Sequence, residues 1–288
     1  MPLKNEPFES QGLRLLRELF CRGKRIFEMQ DIKQVASVQK IPANQLGKII
    51  ANLAKHGKLL RLRRGVYVGI GLLPEQTKAH PFVISAFLIQ PSVVSHWSAL
   101  QYHGLTEQIP QTITASTPRK VIPPSMRKGS LGHPGQKHAW IIDGVRYEYI
   151  TISQEAFEFG VEKIWIPWGV GDGHYQLGIT DKERTILDLF VHPKMFGGMG
   201  EALGILEQSL ANINIEKLVK YAVLYNKKFL VKRLGWALEY FGVKSTDLKP
   251  LLEVPIHHYC RLDPSALPTG TYDKRWMIQN NLLVVKKR

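Results

Sequence analysis

Residues 42 to 68 constrain the fold most, because two different periodicities follow one another there. Apolar residues recur at steps of three and four from Leu46 to Leu53, which is the spacing of a helix with one buried face. Pro42 suits the first turn of this helix and Gly57 suits its end. From Leu60 to Val66 apolar and basic residues alternate, as in a half-buried strand, and Arg64-Gly65 predicts a tight hairpin turn.

Two shorter helical patterns precede this stretch. The first covers Gly12 to Phe20, with Ser10 as its cap, and the second covers Met29 to Ser37. Three helices followed by a basic hairpin are the plan of a winged helix-turn-helix. The sequence therefore predicts such a domain over residues 1–72.

The charge of the chain favours a polyanionic partner. The formal net charge is +15, and residues 1–70 hold 14 Lys+Arg against 5 Asp+Glu, so that +9 of it lies at the front. The chain has no apolar run approaching the ~18 residues of a membrane span. Its two cysteines, Cys21 and Cys260, fit no metal spacing and suit a reducing compartment. We expect a cytoplasmic protein without a membrane partner.

The side of the 42–57 helix opposite its apolar stripe carries amide and ammonium groups. Asn and Gln pair bidentately with adenine, and Lys reaches guanine or phosphate. Basic residues on a hairpin supply contacts to the DNA backbone that depend on salt. Any surface helix also presents such groups, so a three-helix domain that binds protein is the alternative. The predicted DNA-binding residues are Asn44, Gln45, Lys48, Asn52, Lys55, Lys58, Arg61, Arg63 and Arg64.

The rest of the chain predicts an α+β fold. A linker at 72–78 leads into a mixed α+β domain over 79–193 and a mainly helical region over 194–288, although 79–288 as one domain is an alternative. The apolar run Pro81–Ile89 predicts a helix, and Asp143-Gly144 predicts a hairpin turn. Thr180–Glu183 has the pattern of a capping box, and Ser245 that of a cap for a helix over Thr246–Leu252. A Pro- and Gly-rich stretch at 122–136 predicts a loop.

The sequence contains no recognisable catalytic motif, and we expect neither a cofactor nor a metal. Gly169–Gly173 lacks the Gly-Lys-Ser/Thr of a phosphate-binding loop. His257 and His258 are adjacent, so on a strand they point to opposite faces. His96 and His103 are seven apart on one predicted helix, where packing is the simpler role. A metal-dependent nuclease targeted by a winged helix is the less favoured enzymatic alternative.

Several motifs together resemble the AbiEi family of antitoxin regulators from type IV toxin–antitoxin, or abortive infection, systems. The most specific is VSHWSALQYHGLTEQIP at 94–110. The others are LAKHGKLLRLRRGVY at 53–67, HPF at 80–82, DKERTILD at 181–188, RLDP at 261–264 and RWMIQNN at 275–281.

The resemblance implies two activities, both connected with phage defence. The N-terminal domain would repress its own operon by binding inverted repeats in double-stranded DNA, as a homodimer or as paired monomers. The C-terminal region would counter a nucleotidyltransferase-like toxin, with direct contact to the toxin left open. A winged-helix regulator without a toxin is the alternative.

Overall fold

The structure is a computed structural model that describes residues 10–70, 79–122, 139–167 and 174–282. Helices and strands alternate along these ranges, which confirms the predicted α+β class. The helices are α1 (Gln11–Cys21), α2 (Met29–Val38), α3 (Ala43–Lys55), α4 (Pro81–Leu88), α5 (His96–Tyr102), α6 (Gln154–Phe157), α7 (Lys182–Val191), α8 (Met199–Ser209), α9 (Ile215–Tyr225), α10 (Lys228–Tyr240) and α11 (Lys249–Leu252). The strands are β1 (Ile26–Glu28), β2 (Leu59–Arg63), β3 (Val66–Gly69), β4 (Val93–Val94), β5 (Thr112–Thr117), β6 (Ala139–Ile142), β7 (Val145–Thr151), β8 (Val161–Pro167), β9 (His174–Thr180), β10 (Cys260–Arg261), β11 (Thr271–Asp273) and β12 (Ile278–Asn280).

The chain divides into two compact units. Among the described residues, the first unit holds those up to Ser92, together with Ile141–Val145 and parts of Lys163–Leu177. The second unit holds the remainder. The predicted domain boundaries at 72 and 193 stay predictions. The predicted linker at 72–78 and most of the predicted loop at 122–136 lie outside the described residues.

The first unit packs α1, α2 and α3 around one apolar core. Ser10 accepts a hydrogen bond from the Leu13 amide and so caps α1, as predicted. A reciprocal pair of hydrogen bonds between Glu28 and Asp31 begins α2. The buried side chains of the core include Leu15, Leu16, Leu19, Phe27, Ile32, Val35, Leu46, Ile50, Leu53, Leu59 and Tyr67.

A small antiparallel sheet with the order β1-β3-β2 completes this core. The hairpin of β2 and β3 turns at Arg64-Gly65, as predicted, and Gly65 has the positive φ of 78° that glycine adopts without strain. Strand β1 is not predicted by the sequence. Its three residues are too few to show a period, and it forms only because Phe27 lies opposite Tyr67.

A mixed sheet of six strands has the order β6-β7-β5-β4-β9-β8. Strand β4 runs antiparallel to β5 and parallel to β9, whereas β5 runs parallel to β7. The predicted turn between β6 and β7 is confirmed. Asp143 and Gly144 have φ values of 48° and 78°, the two positive angles that a type I′ turn requires.

The helices of the second unit bury a separate apolar core. Its fully buried members include Leu100, Ile186, Phe190, Leu206, Leu218, Leu234 and Trp276. A small sheet with the order β10-β12-β11 adds Ile278 to this core. None of the helices in the described ranges has the length and apolar character that a membrane-crossing segment needs.

Two predicted helix caps in the second unit are wrong, although a helix follows each of them. Thr180 ends β9, and Asp181 caps α7 by accepting from the Arg184 amide. Oε1 of Glu183 accepts from the Asn214 amide at the start of α9, and Oε2 pairs with Nζ of Lys217 at 2.8 Å, so the carboxylate closes no capping box. Ser245 caps no helix, since α11 begins only at Lys249.

Candidate nucleic-acid interface

Helix α3 has two unlike faces. Leu46, Ile50 and Leu53 are buried in the core of the first unit, and Ile49 packs at its edge. On the opposite side the predicted residues are all exposed: Asn44, Gln45, Lys48, Asn52 and Lys55. Spacings of three, four and seven place these five side chains along one side of the helix. The helix therefore presents a continuous polar row to solvent.

Close contact with α1 fixes the orientation of α3. A Cβ added to Gly12 would lie 3.3 Å from the side chains of Ile49 and Leu53, so the glycine allows the two helices to approach closely. The turn before α3 is closed by the Ile41 amide, which donates to the carbonyl of Ala36 at 2.8 Å. Within that turn Lys40 has a φ of 56°. These contacts hold the polar row outward.

The hairpin after α3 carries the four predicted cations. Arg61, Arg63 and Arg64 are exposed and Lys58 is partly exposed. The strand pairing shifts by one residue between Arg61 and Arg63. Both arginines are exposed, while Leu62 between them is buried. The Met29 amide donates to the carbonyl of Gly65 at 2.8 Å and anchors the turn to the start of α2.

The guanidinium of Arg63 differs from the other two in the hairpin. Its Nε donates to the carbonyl of Phe87 at 2.8 Å, and its Nη2 donates to Oε1 of Gln90 at 3.0 Å. The sequence predicts that Arg63 contacts DNA, because Arg63 alternates with apolar residues in the same way as Arg61. The acceptors at 87 and 90 come from α4 and the residues after it, which no local pattern could place beside the hairpin.

Two exposed lysines near this surface were not among the predicted residues. Lys33 lies on the solvent side of α2, and Lys40 lies in the turn between α2 and α3. In a helix-turn-helix the first helix of the motif crosses the phosphate backbone. Lys40 could have been predicted from the sequence, because it lies in the turn between the end of one predicted helix and Pro42.

Two of the motif segments come together inside the second unit. His96 is completely buried with a φ of 56°, and its ring stacks on Phe196. Arg184 and Asp188 form an ion pair at 3.1 Å, with both side chains buried. Burial lowers the pKa of His96 to about 4, although the Asp188 carboxylate acts in the opposite direction. The 94–110 and 181–188 motifs thus contribute to one buried polar cluster.

The histidines and carboxylates of the described ranges form no group of three or more that could hold a metal ion. Nε2 of His103 lies 2.7 Å from the carbonyl oxygen of Thr180, so this side chain joins α5 to β9. His257 and His258 are exposed in the segment before β10. His133 and His138 lie outside the described residues, as does Gly169–Gly173.

Known proteins resemble this chain at two levels, the fold of the whole chain and the sequence of its first unit. Over the whole chain the fold is similar to the crystal structure of the RV2827C protein from Mycobacterium tuberculosis. The TM-score is 0.61 at 15% sequence identity, over 92% of this chain and 89% of that one. A search of curated proteins finds no match. Residues 14–68 match the family model described as "Transcriptional regulator, AbiEi antitoxin", the family that the sequence motifs predict. They hold most of α1, all of α2 and α3, and most of the hairpin.

Proposed function

We propose that this protein is a transcriptional repressor that reads duplex DNA with a winged helix-turn-helix formed by residues 10–70. The observation that carries the proposal is the amphipathic character of helix α3. Its leucines and isoleucines face the core, while Asn44, Gln45 and Lys48 face solvent at the first turns of the helix. These are the groups that pair with base edges in the major groove.

The order of elements supports this assignment. Helix, short strand, two helices and hairpin follow one another from α1 to β3. In a winged helix the hairpin is the wing, and Arg61 and Arg64 would contact the sugar-phosphate backbone there. Such contacts add affinity that does not depend on sequence and that weakens as salt rises. The match of residues 14–68 to a family of transcriptional regulators favours the same conclusion.

Binding to the chain's own promoter tests the proposal. The full chain is titrated into a duplex from the DNA upstream of its gene, and into a scrambled duplex of equal length and composition, at a series of salt concentrations. We expect tighter binding to the upstream duplex, with a footprint over an inverted repeat. Equal affinity for the two duplexes at every salt concentration would contradict sequence-specific repression. The mass of the complex gives the number of chains per repeat.

A second proposed role is that of antitoxin against a nucleotidyltransferase-like toxin. It is favoured by the description of the matching family as AbiEi antitoxins. The test is growth of cells that express the neighbouring toxin gene, with and without the full chain. A Gln45→Ala/Lys48→Ala variant serves as a comparison, because it separates loss of repression from loss of antitoxicity. We expect both chains to restore growth, and continued growth arrest with wild type would reject the role.

The proposed setting is the cytoplasm, where the chain would meet its operator. The protein acts in this proposal as a binding protein without catalytic activity or cofactor. Purified chain incubated with plasmid DNA and Mg²⁺ or Mn²⁺ tests the enzymatic alternative, and metal-dependent cleavage would support a nuclease instead.

A further inference from the structure

Arg63 lies on β2, the edge strand of the hairpin, but its guanidinium is turned toward α4. The Nε and Nη2 groups donate to the Phe87 carbonyl and to Oε1 of Gln90. These two donors form one edge of the planar guanidinium, a fork of the kind with which arginine holds an anion bidentately. That edge is already occupied within the first unit.

The Phe87 carbonyl belongs to the last turn of α4. The last four carbonyls of a helix have no partner within the helix and form the negative end of its dipole. A cation that donates to them is favourable at this place. Arg63 therefore caps α4 from a neighbouring strand, and Gln90 supplies a second acceptor just beyond the helix end.

Helix α4, which accepts this contact, is itself well packed. Phe82, Val83, Ile84 and Leu88 are buried, and the helix packs against β2. The ring of Phe87 also contacts that of Tyr175, with centroids 5.0 Å apart. The hydrogen bonds from Arg63, the last residue of β2, thus connect the hairpin next to its turn to a packed helix.

We propose that Arg63 is a positioning residue that sets the direction in which Arg61 and Arg64 face the DNA backbone, and does not itself contact a phosphate. The inference rests on the proposed DNA-binding function and deepens it, because it divides the cations of the hairpin into two roles. Without Arg63 the hairpin has to be ordered when DNA binds, so affinity falls, while Arg61 and Arg64 still reach their phosphates and release the same number of counterions. The salt dependence of binding then stays as it is in the wild type.

The test compares three variants of the full chain on the duplex from its own upstream DNA, with log affinity plotted against log salt concentration. Arg64→Ala is expected to reduce the slope by about 0.9, the value of one phosphate contact. Arg63→Ala is expected to weaken binding by roughly three- to tenfold at every salt concentration with the slope unchanged. Gln90→Ala alters no charge and removes part of the same contact, so it should weaken binding in the same way.

Two further variants sharpen the comparison. Arg63→Lys keeps the charge but loses the fork, and we expect it to behave like Arg63→Ala. In the double variant Arg63→Ala/Gln90→Ala the two losses should be less than additive, because both substitutions remove one contact. Circular dichroism of each variant shows whether it is folded.

Three results would overturn the proposal. The first is a slope reduced by about 0.9 in Arg63→Ala together with wild-type binding by Gln90→Ala, which is the behaviour of a phosphate contact. The second is wild-type binding by Arg63→Lys, and the third is wild-type affinity in both alanine variants.

The contact itself is measurable without DNA. We expect the Nε proton of Arg63 to exchange slowly with solvent in the free protein, and faster in Gln90→Ala. Exchange at the rate of a free arginine overturns the proposal whatever the DNA results are. If the proton is protected but wild type does not prefer its upstream DNA, the proposed function fails and the positioning role fails with it, while the cap on α4 stands.

Discussion

Trp276 covers Gly235 of α10 so closely that a Cβ added to the glycine would overlap the six-membered ring of the indole. The indole is 1% exposed, and its Nε1 donates to Oε2 of Glu239 at 2.6 Å. The face of the ring therefore packs on the backbone of α10, and its Nε1 edge is fixed by a hydrogen bond to a carboxylate. This contact joins the C-terminal RWMIQNN motif to the helical core of the second unit.

Gly235→Ala should accordingly destabilise the second unit, even though alanine favours helices. Overpacking of a filled core costs about 1–3 kcal/mol. Gly204→Ala in α8 is the matched control, since a Cβ there meets nothing within 4 Å. Alanine at 204 should raise the free energy of unfolding by up to about 1 kcal/mol. Urea unfolding followed by circular dichroism measures both, and equal effects of the two substitutions would contradict the packing argument.

The polar row of α3 predicts where sequence specificity lies. Gln45→Ala/Lys48→Ala should bring affinity for the upstream duplex close to that for a scrambled one, because each good base contact contributes about 1–3 kcal/mol. Both side chains are exposed, so the unfolding midpoint should hardly change. Fluorescence anisotropy on the two duplexes measures the ratio. If the double variant keeps the wild-type preference, base readout lies elsewhere.

The proposed wing predicts the opposite pattern. Arg61→Ala/Arg64→Ala should weaken binding to every duplex and lower the salt slope by about 1.8, because two phosphate contacts are lost. Lys249→Ala in α11 removes an exposed positive charge from the other unit and should leave the slope unchanged. A variant that changes the preference between duplexes, with the slope intact, would place the arginines at base edges.

Acid should destabilise the second unit through His96. Burial lowers the pKa of His96 to about 4, and burial also lowers the pKa of His192 beside it. The unfolded chain therefore binds more protons than the folded one below the ordinary histidine pKa of about 6.5. Stability is fully present above that pH and declines as pH falls toward 4, by roughly 3 kcal/mol for His96.

Urea unfolding at a series of pH values measures this decline. His96→Asn is the useful variant, because asparagine tolerates the positive φ of residue 96 and does not titrate. Whatever its stability at neutral pH, the curve of stability against pH should be flatter between 6.5 and 4. An unchanged slope would mean that other groups bind the protons.

The sequence could predict those parts of the fold that depend on neighbours in the chain. The period of Leu46, Ile50 and Leu53 predicts α3, and the alternation at 60–66 predicts the hairpin, because each pattern exposes one face and buries the other. Arg64-Gly65 and Asp143-Gly144 predict their turns because few residues adopt positive φ without strain.

Contacts between distant segments are what the sequence could not predict. Ile26–Glu28 is a strand only because β3 lies beside it. Glu183 has the local pattern of a capping residue, but its carboxylate accepts from the Asn214 amide at the start of α9 instead. Arg63 has the same charge as Arg61 and the same place in the alternating pattern, yet the Phe87 carbonyl and the Gln90 side chain accept its hydrogen bonds. For the proposed interface, local pattern predicts which side chains are exposed, and tertiary contacts decide what each one can reach.

If the proposed function holds, the separation of the two faces of α3 also bears on how the protein would acquire a new target. The residues that hold the helix in the domain share no position with those that meet solvent, so the outer row can be exchanged without disturbing folding. A library randomised at 44, 45, 48 and 52, on an otherwise intact chain, should yield variants that recognise new operators. Evolution of a paralogue with a separate regulon would then require only a handful of codons.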